Sequence, residues 1–203
     1  MNMSLCEGHE SIEHLLLEER PIDLSAHVAH VNSNPNSSWK AELPKRFEGM
    51  SRKEIKRMMG TVVDPDWVVR APQVKTATPN AVPADFNSAT NWPACSNTIM
   101  FSRDQSNCGS CWAHGTTEAF NDRYCIATIA STGGVGYQGL LSTADTAGCC
   151  DGNKCLSFDC NGGQVATPWR WFKTQGVVTG GGFGNDTYCY AYTMPECAHH
   201  VTS

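Results

Sequence analysis

Long apolar runs are missing from this sequence. Near its start only Leu15-Leu16-Leu17 is apolar, and Glu13 and Glu18 flank it. That is too short and too acidic for the core of a signal peptide. No stretch approaches the roughly 18 apolar residues of a membrane helix, so no helical span is expected. An excess of positive charge is also missing. The net charge of −5 argues against nucleic acid as the main partner. Cysteine is almost absent from residues 1–80, where Cys6 stands alone, and no internal repeat is present.

What is present lies further on. Apart from Cys6, every one of the 11 cysteines falls between Cys95 and Cys197. Such density points to disulfides and an oxidising compartment. Two glycosylation tripeptides, Asn36-Ser37-Ser38 and Asn185-Asp186-Thr187, point the same way. A secreted protein should carry a signal, so the expectation is a signal absent from this sequence rather than from the protein. Seven histidines could reverse the sign of the net charge at acidic pH. A hydrophobic content of 40% is enough for a packed core.

Residues 1–80 read as short helices joined by polar breaks. Leu24, Val28 and Val31 share one helix face, and 32–38 is a Pro-containing break. Ser51-Arg52-Lys53-Glu54 has the form of a capping box opening a second helix. Residues 75–83 read as an exposed linker. From about Val82 the chain becomes rich in Cys, Gly and aromatics. Helices are expected over 111–126, with Ala119, Phe120 and Tyr124 on the buried side, from Ser142 onward, and over 165–175, closed by Gly176. Pro168 is tolerable only near the start of the last one.

The motif carrying the chemistry is Gln105-Ser106-Asn107-Cys108-Gly109-Ser110-Cys111-Trp112. It fits the nucleophile signature of papain-type proteases. A helix N-terminus at Cys111 would set partial positive charge beside the sulfur and favour the nucleophilic thiolate. Gln105 can aim an amide donor at a developing oxyanion, with the Cys111 N–H as the second donor. Taken alone, Cys108-x-x-Cys111 could also be a redox pair or half of a zinc site, with Cys150 and Cys155 as a further ligand pair. No buried strand precedes it, as one would before a redox pair.

Further strings strengthen the case. Cys149-Cys150, Cys160-Asn161-Gly162-Gly163 and Pro195-Glu196-Cys197-Ala198-His199-His200 follow in order. Val82-Pro83-Ala84-Asp85-Phe86 and Asn91-Trp92-Pro93-Ala94-Cys95 precede the motif, after Ser37-Ser38-Trp39-Lys40-Ala41 and Arg57-Met58-Met59-Gly60-Thr61. Together these resemble the papain family of cysteine proteases, in its cathepsin B-like branch.

The resemblance implies an α+β papain-like fold, here mainly its helical left-hand half-domain after a helical pro-segment. The β-rich right-hand half would be largely missing. Residues 1–80 would be an inhibitory pro-segment and 81–203 the N-terminal portion of the peptidase domain. Cys111 would be the nucleophile and Gln105 the oxyanion donor. Gly162, Gly163 and Trp112 would line the substrate cleft. His199 and His200 would form the occluding-loop pair that receives a substrate's C-terminal carboxylate, with Asp104 pairing one of them. Cys95–Cys125, Cys108–Cys160 and Cys150–Cys155 would be disulfides. Cys149, Cys189 and Cys197 would pair with cysteines further along. Residues 60–62 would cross the cleft opposite to substrate direction.

The expected partners are peptide and protein substrates, the chain's own pro-segment and cystatin-type inhibitors, with no nucleic acid and no membrane. No cofactor or metal is implied, and the compartment would be lysosomal or extracellular. The papain-type His and Asn are expected roughly 130–150 residues after the cysteine, and Ser203 comes sooner. The sequence therefore reads as a cathepsin B-like zymogen cut within the occluding loop and, as these 203 residues, inactive. The alternative is a catalytically dead protein that binds or inhibits other cathepsins. The family has phenylalanine at position 114, so His114 reads as a packing change. Gln164-Val165 also departs from the family, next to the specificity pocket.

Overall fold

The computed structural model describes residues 19–62 and 83–197. The chain divides into two compact units, Met1–Met58 and Met59–Ser203. The 80/81 boundary, Cys6, His9, His14 and the 75–82 part of the linker lie outside the described residues.

In the first unit, α1 spans Ser25–Ser33 and α2 spans Arg52–Met58, with a 3-10 turn over Lys45–Phe47 between them. Leu24, Val28 and Val31 are half-buried on one side of α1, while His27 and His30 are exposed. Asn32 then ties the chain to itself. Its Nδ2 donates to Ala41 O at 2.9 Å, and Ala41 N donates to its Oδ1 at 2.8 Å. The capping box forms at the head of α2. Ser51 N donates to Glu54 Oε2 at 2.7 Å, and Glu54 N donates to Ser51 Oγ at 3.2 Å. Each partner satisfies an otherwise orphaned backbone donor. The same bonds hold the Glu54 carboxyl below the usual carboxylate range.

In the second unit, α3 (Ser88–Asn91), a 3-10 turn (Pro93–Cys95) and α4 (Ser96–Ile99) lead to α5, Cys111–Thr128. Then come α6 (Thr143–Cys149), α7 (Gly152–Cys155) and α8 (Thr167–Thr174). Asn87 caps α3, and Ser142 caps α6 by accepting from Asp145 N at 2.9 Å. α8 starts two residues later than the sequence suggests. Pro168 has to sit in the first turn, where its missing N–H costs nothing. Gly176, at φ +82°, closes the end. Among the described residues no regular strand forms, only isolated bridges.

α5 is the spine, and its buried face differs from the expected one. Trp112, Ala113, His114, Thr116, Thr117, Asn121 and Cys125 are buried. Phe120 and Ala119 are half-buried, and Tyr124 is exposed. The aromatics sit on a flank, where Phe120 stacks on Phe172 of α8 at 4.7 Å. The face toward α6 and the 101–105 segment is polar, because those neighbours offer hydrogen-bond partners. Thr117 Oγ1 meets Thr146 Oγ1 at 2.8 Å. Asn121 Oδ1 accepts from Arg103 Nη2 at 3.0 Å and from Leu141 N at 2.7 Å. Its Nδ2 donates to Gly139 O at 3.0 Å.

Disulfides join Cys95 to Cys125, Cys108 to Cys160 and Cys150 to Cys155. The first fastens the end of the 3-10 turn to α5.

Asn121 is 1% exposed, so its loss leaves the buried Leu141 N and the part-buried Arg103 Nη2 and Gly139 O without this partner. Asn121→Ala should therefore lower the unfolding free energy by about 3 kcal/mol. Urea denaturation followed by tryptophan fluorescence checks this. A change below about 1 kcal/mol would mean that water replaces the amide.

Candidate active site

Cys111 opens α5, so its N–H is one of the first-turn donors that a helix leaves without an internal acceptor. The residue ahead of it, Ser110, does not cap the helix with its side chain. It is turned inward and fully buried. The segment before Cys111 is held in shape at several points. Asp104 Oδ1 accepts from Ser106 N at 2.7 Å, and Ser106 takes a left-handed φ of 58°. Gln105 Nε2 donates to Cys108 O at 2.8 Å. An amide carries two N–H donors, and anchoring one fixes the plane of the other.

Cys108 is bonded to Cys160, not to Cys111, so the C-x-x-C pair is no dithiol here. Cys150 and Cys155 are likewise bonded to each other, which leaves Cys111 as the one free thiol of these pairs, too few for a zinc site built on them. Gly109 N donates to Cys160 O at 3.1 Å, and Gly109 bridges Asn161 in parallel. The loop before Cys111 and the glycine segment thus lie side by side, as the two edges of the candidate cleft.

Gly162 and Gly163 form the second edge. Gly162 adopts φ +102°, which side chains rarely tolerate. A Cβ on Gly163 would lie 2.6 Å from the Trp112 ring and 2.5 Å from Ser157 Oγ. Trp112 is fully buried with residues 60–62 in place, and its Nε1 donates to Asp159 O at 3.0 Å. Its part in the cleft is to support Gly163 from below. Ser157, which the motifs did not single out, supports the same glycine, and its Oγ accepts from Gln164 N at 3.2 Å.

Residues 60–62 lie along this edge. Val62 N donates to Gly163 O at 2.9 Å, and Gly163 N donates to Gly60 O at 2.7 Å, a parallel bridge centred on Thr61. Thr61 Oγ1 is 3.5 Å from Cys111 Sγ. A Cβ on Gly60 would overlap the Gly109 carbonyl.

Residues 83–203 match the family described as papain family cysteine protease. The chain belongs to the papain family of cysteine proteases. Within it the resemblance is to cathepsin B-like enzymes. A cathepsin B-like cysteine proteinase of Schistosoma japonicum is 36% identical over 86% of this chain and 48% of its own length. Cathepsin B-like cysteine proteinase 6 of Caenorhabditis elegans is 33% identical over 96% of this chain and 52% of its own. The structure of proCathepsin B S9 from Trypanosoma congolense superimposes with a TM-score of 0.63 at 29% identity, covering 78% of this chain and 51% of that one. The papain-like fold and the helical half-domain follow from these matches. The chain spans about half the length of the curated relatives it matches.

In this papain-family site, His199 and His200 lie outside the described residues. Asp104 Oδ2 accepts from Cys197 N at 2.9 Å, tethering the segment that leads to them. Among the described residues, no histidine is hydrogen-bonded to Cys111. His114 faces the other way, 6% exposed, with Nδ1 3.1 Å from Ser110 O. Its ring packs edge-on against Tyr192 at 4.9 Å. Burial pushes its pKa below the ordinary imidazole value, and the Arg103 charge pushes the same way.

A lowered folded-state pKa means that the unfolded chain binds the extra proton first. His114 thus contributes stability that is intact above about pH 6.5 and is lost as pH falls below it. Denaturation at pH 7.5 and pH 5 should show a larger loss for the parent chain than for His114→Phe. Equal losses would mean that His114 is already charged when folded.

Proposed function

We propose that the protein hydrolyses peptide bonds through the Cys111 thiolate, and that residues 60–62 hold it in a latent form. The observation that supports this best is the parallel pairing of residues 60–62 with Gly163, 3.5 Å from the nucleophile. A peptide running one way along Gly163 would offer its carbonyl to Cys111. The reverse direction fills the same hydrogen bonds without presenting that carbon.

In turnover, the thiolate attacks the scissile carbonyl carbon. The oxyanion is met by the Cys111 N–H and the Gln105 amide, the peptide C–N bond breaks as the amine leaves with a proton, and water then cleaves the thioester left on Cys111 to release the acid and the thiolate. That proton calls for an imidazole acid, the usual partner of a papain-type cysteine. Gly162 and Gly163 would bind the substrate backbone, and His199 with His200 would hold a terminal carboxylate, permitting removal of C-terminal dipeptides. The three disulfides support a lysosomal or secreted setting. No helix among the described residues is long and apolar enough to cross a membrane.

Acid-treated full-length protein should cleave a fluorogenic peptide and take up a peptidyl epoxide at Cys111, and Cys111→Ala should do neither. Turnover that survives Cys111→Ala would overturn the reading. Neither turnover nor labelling in the parent protein would favour a binding protein that inhibits related proteases. Gly60→Ala should speed the labelling of untreated protein several-fold, because the new methyl cannot fit against Gly109. An unchanged rate would show that residues 60–62 do not guard the thiol.

Replacing both His199 and His200 by Ala should remove C-terminal dipeptide release and spare internal cleavage. Paired assays on blocked and free-ended peptides read this directly.

A further inference from the structure

We infer that His114 and Tyr192 are positioning residues for the oxyanion hole. They act through one directed chain of hydrogen bonds that fixes the Gln105 backbone to the residue preceding Cys111. The inference rests on the proposed roles of Cys111 and Gln105.

The direction of the chain follows from which atoms own hydrogens. Tyr192 Oη donates to Gln105 O at 3.0 Å, and a carbonyl oxygen only accepts. That uses the one phenolic hydrogen. Toward Ser110 Oγ, 2.8 Å away, Tyr192 can then only accept, so Ser110 donates its single hydrogen there. Toward His114 Nδ1, at 3.3 Å, Ser110 Oγ must in turn accept. His114 Nδ1 therefore carries a proton. Ser110 O, 3.1 Å from the same nitrogen, demands that proton independently, since it too is a carbonyl. The line runs from the His114 N–H to Ser110 O–H, to Tyr192 O–H, to Gln105 C=O, with every hydrogen pointing the same way.

All three side chains are buried: Ser110 at 0%, His114 at 6% and Tyr192 at 6% exposure. Loss of one link therefore leaves its neighbours short of a partner. The packing of His114 against Tyr192 keeps both rings oriented. The oxyanion donors stand on either side of this line: the amide of Gln105 at one end, the N–H that follows Ser110 at the other. Their separation decides whether both can reach one oxygen. A phenylalanine at 114 would fill the space but could not donate to Ser110.

The test compares two reactions at Cys111. p-Nitrophenyl acetate acylates the thiolate through a tetrahedral oxyanion. The S–C bond forms, the ester C–O bond breaks, and p-nitrophenolate leaves without needing a proton. Iodoacetamide alkylates by displacing iodide, with no oxyanion. Both need the same access past Thr61, so the ratio of their rates reports the hole alone. Mass spectrometry of the Cys111 peptide separates it from the other thiols. Gln105→Ala, Tyr192→Phe and His114→Phe should each lower the ratio, on the order of tenfold. His114→Asn, whose amide nitrogen can stand in for Nδ1, should restore it. An unchanged iodoacetamide rate verifies that α5 is intact. If His114→Phe does not fold, Tyr192→Phe carries the test. A ratio lowered by Gln105→Ala but unmoved by Tyr192→Phe and His114→Phe overturns the positioning chain and leaves the hole standing. A ratio unmoved by Gln105→Ala removes the hole, and this inference with it. His114→Asn as low as His114→Phe would show that His114 acts by shape, not by donation.

Discussion

The Cys108–Cys160 bond is the constraint on which the cleft depends. It joins the loop that leads to Cys111 to the segment that carries Gly162 and Gly163, across a sequence separation of 52. By chain entropy a closure of that size is worth about 4 kcal/mol to the folded state. Its larger effect is geometric. It brings the Gly109 amide onto Cys160 O, and this aligns the two edges side by side. α5 supplies the fixed end of one edge. Trp112, one residue into that helix, supplies the floor of the other. Cys111 and Trp112 are consecutive residues of one helical turn, so neither edge can shift without the other.

That arrangement explains why so much of the α5 interior is polar. An apolar seam can slide, because dispersion contacts carry little directional information. A seam of Thr117 on Thr146, and Asn121 on Arg103 and Leu141, has one register only. Polar burial is tolerable here because the partners are matched. For a helix whose first residue must stand at a defined point in a cleft, a seam of single register serves better than a greasier one.

The sequence was legible where chemistry demands fixed spacing. The glycines, the cysteines around the nucleophile, the capping box at Ser51 and the cap at Ser142 all announce themselves in short strings. The buried side of α5 did not. Hydrophobic periodicity looks for Phe120 and Tyr124, whereas the core takes Thr116, Thr117 and Asn121. Their distant partners lie 18 to 49 positions away, and no local pattern encodes those pairings. Tyr192 was invisible for the same reason. Its hydroxyl meets Gln105 and Ser110 across 87 and 82 residues. His114 carried a faint local signal, four residues after Ser110 and so on the same helix face.

Glycine serves two opposed ends in this cleft. Gly163 has no room for a side chain, because Trp112 and Ser157 occupy it from below. That flatness would let a substrate backbone approach closely enough to hydrogen-bond, and it admits residues 60–62 on the same terms. Gly60 meets Gly109 with an equal lack of room. On the proposed reading, residues 60–62 would use the same Gly163 donor and acceptor that a substrate backbone would use, with the chain running parallel to Gly163. The strength of such a latch is then limited by two backbone hydrogen bonds at Gly163, each worth only about 1 kcal/mol net. On the proposed reading, residues 60–62 would then be a weak latch, and a latent form would draw part of its stability from binding elsewhere in the chain. Release could then come from weakening that remote hold without touching the cleft.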